Sequence, residues 1–154
     1  MQDDARKPQI LATVGGAVDE TRLTLSIHGD DLDPDEISRI LGCAPSRSHR
    51  RGDPRSPRLP PWEKGAWLLT VECQAPIEPE HLLQSLLDRL PDDPAIWDSL
   101  RARYEARLDF GVFQGAWNRG FSLSPEILKR VAALGFGLGF DIYMDGEDYG
   151  EITE

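Results

Sequence analysis

The sequence predicts an α+β domain of the ferredoxin-like kind: a split βαβ repeat, an antiparallel sheet with helices on one face, and an extra helical segment between the two halves. Three observations predict it. The strand-like segments alternate apolar and polar residues, and none is the continuous apolar run of a strand covered on both faces. Leu32-Asp33-Pro34-Asp35 with a later Leu41-Gly42 is echoed by Leu123-Ser124-Pro125-Glu126 with a later Leu134-Gly135, each between two strand patterns. Finally, 154 residues at 40% hydrophobic and 29% charged suit one globular domain, large enough to bury about two-thirds of its unfolded surface. The expected division is a lead-in over 1–20, a single domain over 21–144 and an acidic tail over 145–154.

The elements follow in order. "QILATV" at 9–14 is a short apolar run, read as a strand or an ordered lead-in. In "TRLTLSIHG", Leu23, Leu25 and Ile27 alternate with Arg22, Thr24, Ser26 and His28, the period of a half-buried strand. A helix starts at Pro34, faced by Ile37, Ile40 and Leu41 and stopped by Gly42. Residues 43–65 have no periodicity and five prolines, and are expected to be a long loop without regular structure. "AWLLTVEC" is the next strand, with Trp67, Leu69 and Val71 on one face. Leu82, Leu83, Leu86, Leu87 and Leu90 then repeat at helical spacing, and "DPAIWDSLRARY" restarts a helix with Asp93 as cap and Pro94 at its first position. "ARLDFGVF" alternates Leu108, Phe110 and Val112 inward. After the glycine-bounded "QGAWNRG", a helix capped by Ser124 presents Ile127, Leu128, Val131 and Leu134 and ends at Gly135. "FGLGFDIYM" closes the fold with Phe136, Leu138, Phe140 and Ile142 inward.

The most conspicuous stretch is "GDDLDPDEISRILG", where Asp30, Asp31, Asp33, Asp35 and Glu36 fall within seven positions. Asp31, Asp33 and Asp35 have the alternate spacing of a calcium loop, but the sixth and twelfth positions are Glu36 and Gly42 where that loop needs glycine and a bidentate acid. A helix start fits every residue: Asp33 as N-cap, Pro34 first, acids in the first turn where the macrodipole favours them, and Glu36 three after the cap in a capping-box position. Asp30 and Asp31 are left over, beside His28, to accept from an arginine of the neighbouring loop.

That loop carries Arg47, His49, Arg50, Arg51, Arg55 and Arg58, with Asp53 its acid before Glu63. Guanidinium forks suit carboxylates and phosphates, so the cluster is a candidate anion site; the competing expectation pairs these arginines with the protein's own acids. Trp62 and Trp67 close the loop as an aromatic wall or as packing. For nucleophilic catalysis, Ser46, Ser48 and His49 lack an acid to orient the imidazole, and there is no GxSxG elbow. His28, His49 and His81 show no metal-ligand spacing with one another or with Cys43 and Cys73, which read as buried thiols. "GFGLGFD" opens a strand, whereas a phosphate fingerprint opens a helix. No catalytic residue, metal or cofactor is assigned.

The segments "IHGDDLDPDEISRILGCAPSRSHRRGD", "GAWLLTVEC", "HLLQSLLDRL" and "FSLSPEILKRVAALGFGLGFDIYMD" resemble an uncharacterised bacterial family, domain of unknown function 4279, from about Thr21 to Met144. The most specific features are the Gly-Asp-x-Leu-x-Pro start and the Pro-Ser-x-Ser-x-Arg-x-Gly-Asp loop. The resemblance implies a small stand-alone bacterial protein and supplies no activity.

A net charge of -10 disfavours binding to nucleic acid through overall electrostatics. No signal-peptide pattern or membrane-length apolar run is present, so a cytoplasmic protein is expected. Two functions fit. One is a non-catalytic binding protein, immunity or antitoxin-like, whose acidic surface meets a basic protein partner. The other is a small-anion or nucleotide-binding domain using the loop over 45–58, with Arg47, His49, Arg50, Arg51 and Asp53 set near Asp30, Asp31 and Trp62.

Overall fold

The computed structural model describes residues 15–116 and 118–144. The apolar run at 9–14, Trp117 and the acidic tail from 145 onward lie outside the described residues. The elements run β1 (Glu20–Gly29), α1 (Pro34–Leu41), β2 (Arg47–His49), β3 (Gly65–Gln74), α2 (Pro79–Asp88), α3 (Pro94–Arg103), β4 (Glu105–Gln114), α4 (Pro125–Ala133) and β5 (Gly139–Met144). The strands form one sheet in the order β2-β3-β1-β4-β5.

β1 is central because its alternation serves two neighbours at once. It pairs antiparallel with β3 from Glu20–Gln74 to Gly29–Gly65, and with β4 from Glu20–Phe113 to His28–Glu105. Leu23, Leu25 and Ile27 are fully buried and form one core with Trp67 and Leu69 of β3, Leu108, Phe110 and Val112 of β4, and the apolar faces of all four helices. Helices therefore cover one side of the sheet. The other side carries the polar half of each alternation.

The mixed α+β class and the helix-covered face agree with expectation; the topology differs. β4 and β5 are parallel, so the sheet is mixed and not antiparallel throughout. The two strand-helix-strand units are also unequal: β1 and β3 around α1 are adjacent and antiparallel, whereas β4 and β5 around α4 are adjacent and parallel. Neither unit has a strand inserted between its pair, so the order departs from a split βαβ repeat. The extra pair α2 and α3 brings the chain back to the far side of β1, which sets this order. Residues 43–65 are not wholly irregular either: β2 adds to the outer edge of β3 through Arg47–Leu68, Ser48–Trp67 and His49–Ala66.

Helix ends follow the sequence closely. The Asp33 carboxylate accepts from the Asp35 amide at 3.0 Å, and Gly42 closes α1 at φ 72° while its amide donates to Ser38. That left-handed geometry costs a β-carbon dearly and glycine little. Asp93 caps α3 and Ser124 caps α4 as expected. Glu36 makes no capping box; its carboxylate accepts from both terminal nitrogens of Arg103, at 2.9 and 3.4 Å, tying α1 to α3. Between α1 and β3, the Trp67 indole donates to the Ser38 hydroxyl at 3.0 Å, and that hydroxyl donates to the Pro34 carbonyl at 2.9 Å. A buried indole N–H thereby keeps a partner.

Two expectations of burial fail at the β5 edge. Phe140 and Ile142 do face the helix side, but they are 48% and 64% exposed, and Leu128 of α4 is 44% exposed. Alternation selects a face; covering it takes a neighbour, and among the described residues none lies beyond β5.

Candidate functional site

The open face is built from strand register. Because side chains alternate, directly paired residues share a face. The row at one end reads His49, Ala66, His28, Glu105 across β2, β3, β1 and β4. Alanine between two histidines leaves a gap in that row. Ala66 is nonetheless fully buried, and His28 and His49 on either side of it border the space beneath the chain from Arg55 to Lys64.

That segment is held by bonds of its own. The Arg50 amide donates to the Asp53 carboxylate at 2.7 Å, the Gly52 amide to the Trp62 carbonyl at 2.8 Å, and the Trp62 amide to the Asp53 carbonyl at 3.1 Å. Gly52 sits at φ 85°, which lets this turn close. Outside the turn, the Arg50 guanidinium reaches Asp33 at 2.6 Å and Asp35 at 2.8 Å, anchoring the loop to the start of α1. The hydrogen bond from the Asp35 amide, followed by Arg50, holds the Asp33 carboxyl below the usual carboxylate range. Ser46 extends the attachment by exchanging hydrogen bonds with the backbone of Thr70.

The wall of the gap is aromatic and basic. The His49 ring stacks on Trp62 with centroids 3.7 Å apart and planes 12° from parallel. The Arg55 guanidinium lies 3.9 Å from the Trp62 centroid. At those distances one indole face cannot hold both groups, so they occupy opposite faces. Trp62 is thus the centre of a three-layer stack and offers a ligand only its edge. Burial, reinforced by His28, Arg47 and Arg55 against the opposing charge of Asp53, lowers the His49 pKa below its ordinary value.

Around this stack lies a cavity of about 380 Å³ lined by His28, His49, Arg55, Trp62, Glu63 and Lys64 with Pro60 and Pro61. His28 also borders a second concavity of about 440 Å³ over the middle of the open face, floored by Thr24, Ser26 and Gly111 and flanked by Arg22, Arg107, Asp109 and Asp141. The two spaces meet at His28. One offers imidazoles, a guanidinium, an ammonium and the Glu63 carboxylate; the other offers short hydroxyls between opposite charges.

Of the residues predicted for a site, His49 and Trp62 line the first cavity, and Asp53 shapes its loop. Arg50 is spent on the acids that cap α1, the outcome expected of a loop that pairs with its own protein. Arg47, Arg51 and Arg58 are exposed and do not converge with it. Asp30 and Asp31 are exposed and make no ion pair among the described residues. They do not receive the loop's arginines, since Arg50 goes to Asp33 and Asp35. Sequence reasoning missed His28 and Lys64 as partners of His49 and Arg55; the polar phase of β1 was the available signal for His28, but its registration against Ala66 was not.

Ser48 and His49 alternate to opposite sides of β2, so they form no nucleophile-base pair. Trp67 is wholly in the core. Cys43 is half-buried, Cys73 is buried, and burial raises both thiols above their usual pKa. Among the described residues no three His, Cys, Asp or Glu side chains gather as a metal site, and no helix is long and apolar enough to cross a membrane. No curated protein and no solved structure matches the chain. A family model does, over residues 19–145, and its description is Domain of unknown function (DUF4279).

Proposed function

We propose, from the premise that the chain belongs to the DUF4279 family, that it is a binding protein whose cavity beside His28 and His49 takes a small anionic ligand bearing a phosphate or carboxylate. One observation carries the reading: His28, His49, Arg55 and Lys64 line a single cavity with one acid, Glu63, and hydrogen bonds among Arg50, Gly52, Asp53 and Trp62 fix the turn that carries its wall. Preorganised donors lose little freedom on binding, which is where small ligands gain affinity. Arg55 lies on Trp62 and lines the cavity, and guanidinium forks recognise planar anions.

The test is a thermal-shift and calorimetric titration of the full chain with inorganic phosphate, adenosine monophosphate and citrate. A ligand at a hundredfold excess over its dissociation constant stabilises by about 2.7 kcal/mol. That corresponds to a rise of roughly 5–10 °C for a domain of this size. Arg55→Ala and Lys64→Ala abolish the shift, whereas Arg51→Ala and Arg58→Ala preserve it. Absence of any shift, or a shift that survives the Arg55→Ala/Lys64→Ala pair, refutes the site.

A basic protein partner in the cytoplasm, in an immunity or antitoxin-like role, is the second reading. It is favoured by the net charge of -10 together with exposed Asp30 and Asp31, which have no ion pair among the described residues. Complementary charge chiefly accelerates association. The partner's on-rate therefore falls with added salt and with Asp30→Asn/Asp31→Asn; an on-rate indifferent to both removes this reading.

A further inference from the structure

Among the described residues β5 is an edge strand, with apolar side chains on both faces and a single charge, Asp141. Phe140, Ile142, Tyr143 and Met144 are 48%, 64%, 51% and 46% exposed. Proteins ordinarily protect such edges with lysine, proline, bulges or a covering element, because free backbone groups flanked by apolar side chains recruit another strand. Here Phe140 and Ile142 border an apolar groove of about 450 Å³ that also includes Val18, Phe121, Leu123 and Leu128.

We propose that β5 pairs with β5 of a second copy, antiparallel, about a two-fold axis through Ile142. A two-fold axis normal to the sheet keeps each face with its like, so only residues of the same face can stand opposite one another. That leaves few registers. An axis through Asp141 sets Asp141 against Asp141 of the second copy, a like-charge cross-strand pair, which is destabilising. An axis through Tyr143 sets Ile142 on Met144 and gives Phe140 no apolar partner among the described residues. The axis through Ile142 sets Ile142 on Ile142 and Phe140 on Met144 along the helix side, and Asp141 on Tyr143 along the open side. That register avoids the like-charge pair and matches Phe140, Ile142 and Met144, the three large apolar side chains of the helix side.

The exposed parts of those side chains amount to roughly 400 Å² per copy, of which strand pairing covers the part facing the partner. With the paired backbone the interface stays below the roughly 1,000 Å² total of standard specific interfaces, in the weak class. Affinity is accordingly modest, and two chains of formal charge -10 repel. Salt screens that repulsion over about 8 Å at physiological strength while leaving the apolar row intact, so the dimer strengthens with salt, opposite to the expected behaviour of an anion site.

Sedimentation equilibrium on the full chain, from low micromolar to high micromolar concentration and at low and high salt, tests the pairing. A monomer-dimer equilibrium that shifts toward dimer with salt is expected, and Ile142→Arg gives monomer throughout with unchanged far-UV and near-UV circular dichroism. Independently, oxidation of Ile142→Cys yields a covalent dimer above the background of wild type, because directly opposed β-carbons lie about 4.5–5.5 Å apart. Asp141→Cys, offset from its copy, does not. A wild-type monomer at every concentration, including one whose edge is occupied by residues 1–14 of its own chain, overturns the proposal. So does a dimer indifferent to Ile142→Arg, or equal cross-linking of Asp141→Cys and Ile142→Cys.

Discussion

Trp62→Ala removes the middle layer of the stack that walls the cavity. The indole loses a parallel contact with His49 at 3.7 Å and a guanidinium at 3.9 Å. Aromatic pairs of this geometry contribute about 0.5–1.5 kcal/mol and exposed cation-π pairs about 0.5–1 kcal/mol. Together they give a destabilisation of about 2 kcal/mol, or roughly 4–8 °C in Tm for a domain of this size. Denaturant unfolding followed by near-UV circular dichroism measures it, and amide exchange localises it. The Gly52 and Trp62 amides, which close the loop on Trp62 and Asp53, exchange faster, while the β1 amides keep their relative order. Trp62→Phe retains a ring for both layers and recovers about half the loss. Because burial is the first cause of the lowered His49 pKa, a proton titration of that imidazole moves back toward the ordinary value in Trp62→Ala. A stability change below about 0.5 kcal/mol, with unchanged exchange at Gly52 and Trp62, refutes the claim that this stack holds the loop.

The pH dependence has a definite sign. His49 titrates lower in the folded protein than in the unfolded chain, so in the interval beneath about pH 6.5 the unfolded chain binds more protons and stability falls on acidification. The contribution is complete above that value. Denaturant unfolding at about pH 7.5 and about pH 5.5 measures it, and His49→Gln flattens the difference; stability that rises on acidification across this interval contradicts it. Gly29→Ala drives a methyl into the ring of Tyr104, a buried side chain whose hydroxyl has no partner among the described residues. Overpacking there costs about 1–3 kcal/mol, and Tyr104→Leu in the same chain restores most of it by denaturant midpoint. Ser124→Ala removes the hydroxyl that accepts from the Ile127 amide at 3.4 Å; that long bond places the loss near the low end for caps, about 0.5–1 kcal/mol, read from the same midpoint.

Local structure was legible in the sequence wherever a residue's own neighbours decide it. Leu23, Leu25 and Ile27 gave the buried face of β1 by alternation, and Asp33, Asp93 and Ser124 gave three helix starts by side-chain chemistry followed by proline. What depends on a distant partner was not legible. β2 has three residues, all polar and largely exposed, so no periodicity marks it; only Leu68, Trp67 and Ala66 opposite make it a strand. The echo between the α1 and α4 segments is real as a helix start, yet it carries no information about which strands pair, and the parallel β4–β5 contact breaks the expected repeat. At the candidate site, the arginines nearest in sequence to His49 turned outward or to the α1 acids. Its actual companions, His28 and Lys64, are assembled by register across Ala66 and by the return of the loop. Phe140 and Ile142 show the same limit at the edge, where pattern names a face and only topology says whether anything covers it.

On the proposed reading, the loop from Arg50 to Lys64 walls an anion site beside His28 and His49. A heteronuclear NMR titration of the full chain with inorganic phosphate tests it most directly. The prediction is that the Trp62 indole, the Lys64 and Ala66 amides and the His28 and His49 ring signals move together along one saturable curve, with Arg51 and Arg58 unaffected. Shifts that never saturate, or that gather at Arg51 and Arg58 while Ala66 and His28 stay still, contradict it.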